Sequence, residues 1–350
     1  MPLLEIRNLQ IDFGRGPSAL RAVDGVSLTL EPGKALCLVG ESGSGKSVTA
    51  LSIARLLGSP PARYAGGEIL LEGRDVLRMR AAELRSVRGG VVSYVFQEPG
   101  ASLNPVFRIG NQIKEALKLH RPEAATDAEV VRLLKLAGIP APEARIRNYP
   151  HEMSGGMQQR AMIAMALAPQ PKLLVADEPT TALDVTIQAK IIELLSRLQE
   201  QLGMAILLIT HNLGIVGDIA DDVAVMYAGQ IVETAPAGEL LKRPLHPYTQ
   251  ALMNSVPSLD SEVQRLTAIP GAVPRLGAFP AGCRFHPRCA RAQAECSQKQ
   301  PVLVEVEPRR WVRCPFWNAT GLNINPGTAR QQDPSQVLGQ ALRSGGRGER

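Results

Sequence analysis

Short apolar runs, separated by turn residues, alternate along this chain with longer stretches in which apolar positions recur every three or four residues. That alternation predicts an α/β fold, a sheet covered by helices. Ala35–Val39 reads as a buried strand that feeds a glycine-rich loop and then a helix from Lys46. Val91–Phe96, Leu173–Ala176 and Ala205–Ile209 read as further buried strands, and Leu4–Phe13 with Val26–Leu30 as an antiparallel pair at the edge. Val223–Tyr227 and Gln230–Glu233 predict a hairpin turning at Ala228-Gly229. Over 185–202, Ile187, Ile191, Leu194, Leu195, Leu198 and Leu202 keep a 3.6-residue period, the mark of an amphipathic core helix.

Between the second and third buried strands, residues 107–150 carry helical patterns framed by Pro122, Pro140, Pro142 and Pro150. They predict a helical subdomain inserted into the sheet domain. Beyond residue 240 the texture changes. Residues 244–317 are rich in Pro, Arg and Cys and read as poor in core. From Gly321 onward the chain is too polar to build one and is expected to be disordered.

At 350 residues, one main domain with an extension is the expected organisation. Aromatics at 4% argue against a stacking surface for single-stranded nucleic acid. The net charge of +6 points no more strongly to nucleic acid, because Arg74, Arg78, Arg80, Arg85 and Arg88 are interleaved with Glu72, Asp75 and Glu83, as on a solvated face. The apolar run Ala161–Ala168 is cut by Pro169 and Pro171, well short of the roughly 20 residues that span a bilayer. Met1-Pro2-Leu3-Leu4-Glu5 lacks the regions of a secretory leader. The expected location is the cytosol, where thiols stay reduced.

Gly40-Glu41-Ser42-Gly43-Ser44-Gly45-Lys46-Ser47 matches the phosphate-loop pattern G-x-x-x-x-G-K-[ST]. Its backbone N–H groups and the following helix start would wrap phosphates. Lys46 would reach the β/γ-phosphates of ATP and the Ser47 hydroxyl would ligate Mg²⁺. The context of a buried strand before and a helix after weighs against a mere glycine-rich turn. Downstream, the strand Leu173–Ala176 ends in Asp177-Glu178. Asp177 would hold Mg²⁺, and Glu178 would orient and deprotonate an attacking water. Met153-Ser154-Gly155-Gly156-Met157-Gln158 adds an N-cap and two glycines before a helix over 156–168, a second anion-binding helix start.

Ser154-Gly155-Gly156-x-Gln158, followed closely by the Asp177-Glu178 strand, resembles the ABC-transporter ATPase family over about residues 3–240. The resemblance implies a P-loop NTPase fold with a mixed sheet core, an antiparallel edge subdomain and a helical signature subdomain at about 98–168. It implies that Gln97 senses Mg²⁺ and contacts the membrane partner, and that His211 lies near the γ-phosphate. Phe13 stacks on adenine, and Ala182-Leu183-Asp184 forms the D-loop. The nucleotide would touch Gly40, Ser42, Gly43, Ser44, Gly45, Lys46 and Ser47 of one subunit. Ser154, Gly155, Gly156, Gln158 and Asp184 would complete the site of the other, so hydrolysis needs a dimer. Met153 stands where Leu is usual and Met157 where Gln is common, both volume-tolerant changes.

Arg243-Pro244-Leu245-His246-Pro247-Tyr248 is similar to the His-Pro-Tyr extension of the peptide and nickel importer ATPases. Cys283, Cys289, Cys296 and Cys314 are separated by 5, 6 and 17 residues (289−283−1, 296−289−1, 314−296−1). Four thiols in a core-poor segment point to a metal staple, without the C-x₂₋₄-C knuckles common for zinc. The intervals resemble dipeptide- and oligopeptide-permease ATPases, some of which hold a [4Fe–4S] cluster there; zinc and free thiols remain alternatives. Cys37 reads as a small core residue.

The expected protein is therefore an ATP-hydrolysing importer subunit for peptides, with nickel or glutathione import, or a non-transport ABC ATPase, as alternatives. The resemblance implies a paralogous ATPase subunit, two membrane permeases and an extracytoplasmic binding protein as partners, with no nucleic acid. It implies a peripheral position on the cytoplasmic face of the inner membrane. The expected domains are 1–240 for the ATPase, 241–318 for a small Cys-rich extension and 319–350 for a tail.

Overall fold

The computed structural model describes residues 1–181, 183–255 and 269–318. The expected disordered tail over 319–350 lies outside the described residues, as does Ala182.

In chain order the strands are β1 (Leu4–Phe13), β2 (Leu20–Leu30), β3 (Ala35–Val39), β4 (Ala62–Leu71), β5 (Arg74–Asp75), β6 (Val92–Val95), β7 (Leu173–Asp177), β8 (Ala205–Thr210), β9 (Asp222–Tyr227), β10 (Gln230–Pro236), β11 (Val304–Glu307) and β12 (Arg310–Val312). The helices are α1 (Lys46–Ser52), α2 (Ala81–Val87), α3 (Pro99–Ser102), α4 (Ile109–His120), α5 (Asp127–Leu136), α6 (Pro142–Arg145), α7 (Gly155–Leu167), α8 (Val185–Leu202), α9 (Ala237–Lys242) and α10 (Pro247–Asn254). The chain divides into two compact units. One comprises Met1–Glu31, Leu36–Arg78 and the described residues from Thr210 onward; the other comprises Pro32–Ala35 and Met79–Ile209.

The first unit holds an antiparallel sheet in the order β2-β1-β4-β5. β1 buries Leu4, Ile6, Leu9 and Ile11, with Ile6 opposite Leu28 on β2 and Ile69 on β4. The edge pair expected from sequence is thus four-stranded. β4 was hidden because Gly66-Gly67 breaks its pattern at a bulge. At Gly67, φ is +86° and a Cβ would meet the Asn8 carbonyl oxygen at 2.4 Å. Across this sheet Asp12 accepts from Arg21 Nε (2.6 Å) and Arg63 Nη2 (2.6 Å). The Arg21 bond, together with Arg63, holds the Asp12 carboxyl below its usual range.

The same unit holds a second, mixed set of strands. β3 runs parallel to β9, β9 antiparallel to β10, and β10 antiparallel to β12, which pairs with β11. All five residues of β3 are buried, as expected for a strand covered on both faces. The β9–β10 turn falls at Ala228-Gly229, both at positive φ, the geometry that suits a two-residue hairpin loop.

Beyond residue 240 buried side chains are sparse, in line with the sequence reading: among the described residues 269–318 only Phe285, Arg310, Trp311 and Val312 are buried. Tyr248, Phe285 and Trp311 are at most 3% exposed. The Tyr227 ring centroid lies 4.6 Å from Tyr248 and 5.2 Å from Phe285. Such pairs contribute ~0.5–1.5 kcal/mol each beyond area burial. Tyr248 and Phe285 are isolated in sequence among Pro and Arg, and only the folded chain brings them together against Tyr227 of β9.

The His-Pro-Tyr run has a local physical role. His246 caps α10, its Nδ1 accepting from the Tyr248 N–H at 3.0 Å, and Pro247 fills the first helical position, where no N–H is needed. The buried Glu233 carboxylate accepts the N–H groups of Leu245 and His246, at 2.8 Å each. Burial pushes the His246 imidazole down to about 3, which keeps it neutral and able to accept.

In the second unit β6, β7 and β8 are parallel, with Val95 opposite Ala176 and Asp177 opposite Ile209. α8 buries Ile191, Ile192, Leu194, Leu195 and Leu198, whereas Leu202, expected on that stripe, is 47% exposed. The helix stops there because Gly203 takes the left-handed cap at φ +63°. Cys37, expected in the core, is fully buried in β3, and desolvation raises its thiol pKa. No helix among the described residues is long and apolar enough to cross a membrane.

Candidate functional site

The phosphate loop follows the buried strand β3 and ends at the start of α1. Its outer glycines cannot be replaced for a steric reason. A Cβ at Gly40 would stand 2.2 Å from the Met226 carbonyl oxygen, and Gly45 holds φ +105°, a conformation that strains any side chain. Lys46 is only 4% exposed, and its Nζ donates to the carbonyl oxygens of Gly40 (2.7 Å) and Glu41 (2.9 Å). The buried Ser44 Oγ makes no hydrogen bond. Ser42, Gly43 and Ser47 are exposed at the mouth of the loop. A buried ammonium, an unpartnered hydroxyl and a cradle that side chains would fill together fit a polyphosphate.

Phe13 is half-buried opposite Leu20 on β2. Two positions further along that strand, the Ala22 carbonyl oxygen would lie 3.1 Å from a Cβ on Gly45. His211 is exposed just past β8. These residues and the four cysteines belong to the first unit.

The second unit carries the remaining candidates. Asp177 ends β7, and Gln97 lies two residues beyond Val95, so both stand at the carboxyl ends of adjacent parallel strands, where α/β sheets place their ligands. Glu178 has φ +47°, a conformation costly for a residue with a side chain and concentrated at working sites. Its N–H donates to the Ile209 carbonyl oxygen (3.0 Å), and its Oε2 accepts from Thr181 Oγ1 (2.9 Å). Sequence reasoning missed Thr181.

Ser154 caps α7, its Oγ accepting from the Met157 N–H at 3.4 Å. Ser154 and Gly155 are exposed. The Gln158 amide donates to the carbonyl oxygens of Pro150 (2.8 Å) and Met153 (3.1 Å), which fixes the turn before the helix. Asp184 caps α8, accepting from the Ile187 N–H at 2.9 Å. A Cβ on Gly156 would stand 3.1 Å from Ile187 Cγ2 and one on Gly155 3.7 Å from Leu183 Cδ2, so the two loops lie side by side.

Cys283, Cys289, Cys296 and Cys314 line one cavity of about 550 Å³, together with His246, Phe285, His286, Arg291 and others. Burial pushes the Cys314 thiol up to about 12 and raises those of Cys283 and Cys289. Among the described residues no three His, Cys, Asp or Glu side chains are grouped to hold a metal ion.

The fold and the phosphate loop agree with what the chain resembles. The ABC transporter family profile matches residues 23–181, and that of the oligopeptide/dipeptide transporter C-terminal region matches residues 232–296. A dimeric ATP-binding cassette in a post-hydrolysis state, bound to ADP and Pi, superposes with a TM-score of 0.59 at 26% identity, covering 67% of this chain and 98% of that one. These matches define the class, an ABC-type ATPase cassette. A putative peptide import ATP-binding protein of Brucella abortus (strain 2308) is 49% identical, covering 90% of this chain and 95% of the relative. The oligopeptide transport ATP-binding protein AppD of Bacillus subtilis (strain 168) is 47% identical, covering 91% and 98%. The chain belongs to the family of ATP-binding subunits of ABC peptide transporters.

Proposed function

We propose that this chain binds and hydrolyses ATP to drive peptide import through partner permease subunits. The observation that carries this reading is a phosphate loop with a buried Lys46 on a chain similar, along nine-tenths of its length, to a peptide import ATP-binding protein. Gly40, Ser42, Gly43, Ser44, Gly45 and Lys46 would bind the phosphates, and Phe13 would stack on adenine. Ser47, Asp177 and Gln97 would hold Mg²⁺, which neutralises charge on the β- and γ-phosphates. Glu178 would take the proton of the attacking water, with the Thr181 hydroxyl fixing one of its carboxylate oxygens. His211 would steady the γ-phosphate. Ser154, Gly155, Gly156, Gln158 and Asp184 would close the nucleotide site of a second ATPase subunit, a paralogue, their exposed turn offering N–H groups outward.

Residues 1–240 would form the ATPase domain, with 98–168 as its helical part and 241–318 as a Cys-rich extension. The subunit would sit on the cytoplasmic face of the inner membrane, against two permeases fed by an extracytoplasmic binding protein. The four cysteines would hold a [4Fe–4S] cluster, with Zn²⁺ the alternative; their place on the lining of one cavity supports a shared bound group. Iron and acid-labile sulfide near four each per chain, in protein purified without air, is the expected result, and zinc or no metal rejects the cluster. Function is tested by ATPase turnover of the complex reconstituted in vesicles. Stimulation by peptide with the binding protein is expected, and stimulation by nickel or glutathione instead would reassign the cargo.

A further inference from the structure

Glu41, the second residue of the phosphate loop, uses every polar group it has. On the inner side its carbonyl oxygen accepts from the Ser44 N–H (3.3 Å) and from Lys46 Nζ (2.9 Å). On the outer side its N–H donates to the Tyr248 hydroxyl (2.9 Å), 207 positions away. Its carboxylate receives a two-pronged bond from Arg288, Nη1 to Oε2 at 2.7 Å and Nη2 to Oε1 at 2.9 Å, 247 positions away.

Arg288 is itself held on all sides. Its side chain is 6% exposed, its Nε donates to the Pro270 carbonyl oxygen (2.7 Å), and its guanidinium lies 5.8 Å from the Tyr227 ring centroid. A planar fork that matches a carboxylate bidentately is the strong, directional kind of ion pair, unlike the flexible surface pairs worth little. Residue 41 is therefore a joint. The C-terminal segment grips its N–H and side chain, while its carbonyl oxygen sets where Lys46 rests.

We propose that Arg288, acting through Glu41, is a positioning residue of the phosphate loop, so that the C-terminal segment sets the affinity of the cassette for ATP. Without the grip, the peptide unit at Glu41 is free to turn, and Lys46 loses one of the two carbonyls that aim it. The loss falls on nucleotide binding and leaves the reacting end of the site untouched. This inference rests on the reading of the loop as the ATP site.

The test uses the full chain, with a fluorescent ATP analogue for Kd, and its complex with partners for turnover. Arg288→Ala is expected to raise Kd and KM about three- to tenfold with kcat held. Arg288 also supports the backbone near Pro270, so Glu41→Gln, which keeps the shape and removes only the charge, is the deciding variant and is expected to match it. In the double variant the effects should not multiply, because both changes break one link. A Kd for Glu41→Gln within twofold of the unchanged chain, or multiplying effects in the double variant, would overturn the proposal. Should Arg288→Ala fail to fold, Glu41→Gln decides alone by the same criterion. Loss of the ATP-site reading itself looks different: the unchanged chain would not bind the analogue, or Lys46→Ala would bind it equally well.

Discussion

Two glycine-bearing loops of this protein each open a helix, and they are built in opposite ways. The phosphate loop before α1 is closed in. The Met226 carbonyl crowds Gly40, Lys46 is buried, and Glu41 is gripped by Tyr248 and Arg288. The signature loop before α7 is open, with Ser154 and Gly155 exposed. What holds it lies behind it: the Gln158 amide on the Pro150 and Met153 carbonyls, and the neighbouring turn at Leu183. A closed loop can bind phosphate with its own chain's groups. An open one presents N–H groups to something else, the arrangement expected of a half-site completed by a second subunit.

That contrast can be broken by substitution, and the largest effect lies in the chemistry. Glu178→Gln should keep ATP binding and lower turnover by ~10²–10⁴-fold, the usual worth of general-base help. Unchanged turnover, measured by phosphate release, would remove Glu178 from that role. Lys46→Ala should weaken ATP binding in a titration of the single subunit by about 10- to 100-fold, as expected for losing a charge-assisted bond. Ser154→Ala should leave that same titration unchanged, because the loop faces outward, while lowering turnover of the assembled complex. A matching loss of binding in the single subunit would mean that the signature loop serves its own chain and would end the comparison. The cap itself contributes about 1 kcal/mol to α7, so a small drop in thermal stability is also expected.

The smallest effect concerns the first unit's edge sheet. Asp12 has its pKa lowered by Arg21 and then Arg63, so its carboxylate stabilises the folded chain above the ordinary aspartate range, near pH ~3.9, and that contribution is lost as pH falls through the lowered value. Asp12→Asn should flatten the acid limb of stability measured by denaturant unfolding between about pH 5 and pH 2. An equally steep limb in the variant would assign the acid loss elsewhere. Arg63 is well exposed, so added salt should shrink the difference.

The elements proposed to carry chemistry in this chain were legible because their signals are local. β1, β3 and α8 have the expected bounds, and Gly45, Lys46 and Ser47 sit at the strand-to-helix turn that their spacing implies. A hydrophobic period, a cap and a glycine act on neighbours within a few residues, so the sequence alone carries them. Glu178 was visible as a carboxylate after a strand, but its left-handed backbone and its bond from Thr181 were not, since both depend on how the chain leaves β7.

Beyond residue 240 the local signals fail. Cys283, Cys289, Cys296 and Cys314 are spaced without a knuckle, and only the folded segment brings them to one cavity. Tyr248 and Phe285 look scattered, yet in the folded chain both pack against Tyr227 of β9. The grip of Arg288 on Glu41 spans 247 positions, and no pattern along the chain encodes a contact between residues so far apart. The sequence by itself determined which loop has the backbone freedom and charge, at fixed spacing, proposed to bind phosphate. The tertiary structure alone decided what holds that loop in place, because bonds between distant residues exist only after the strands between them have paired.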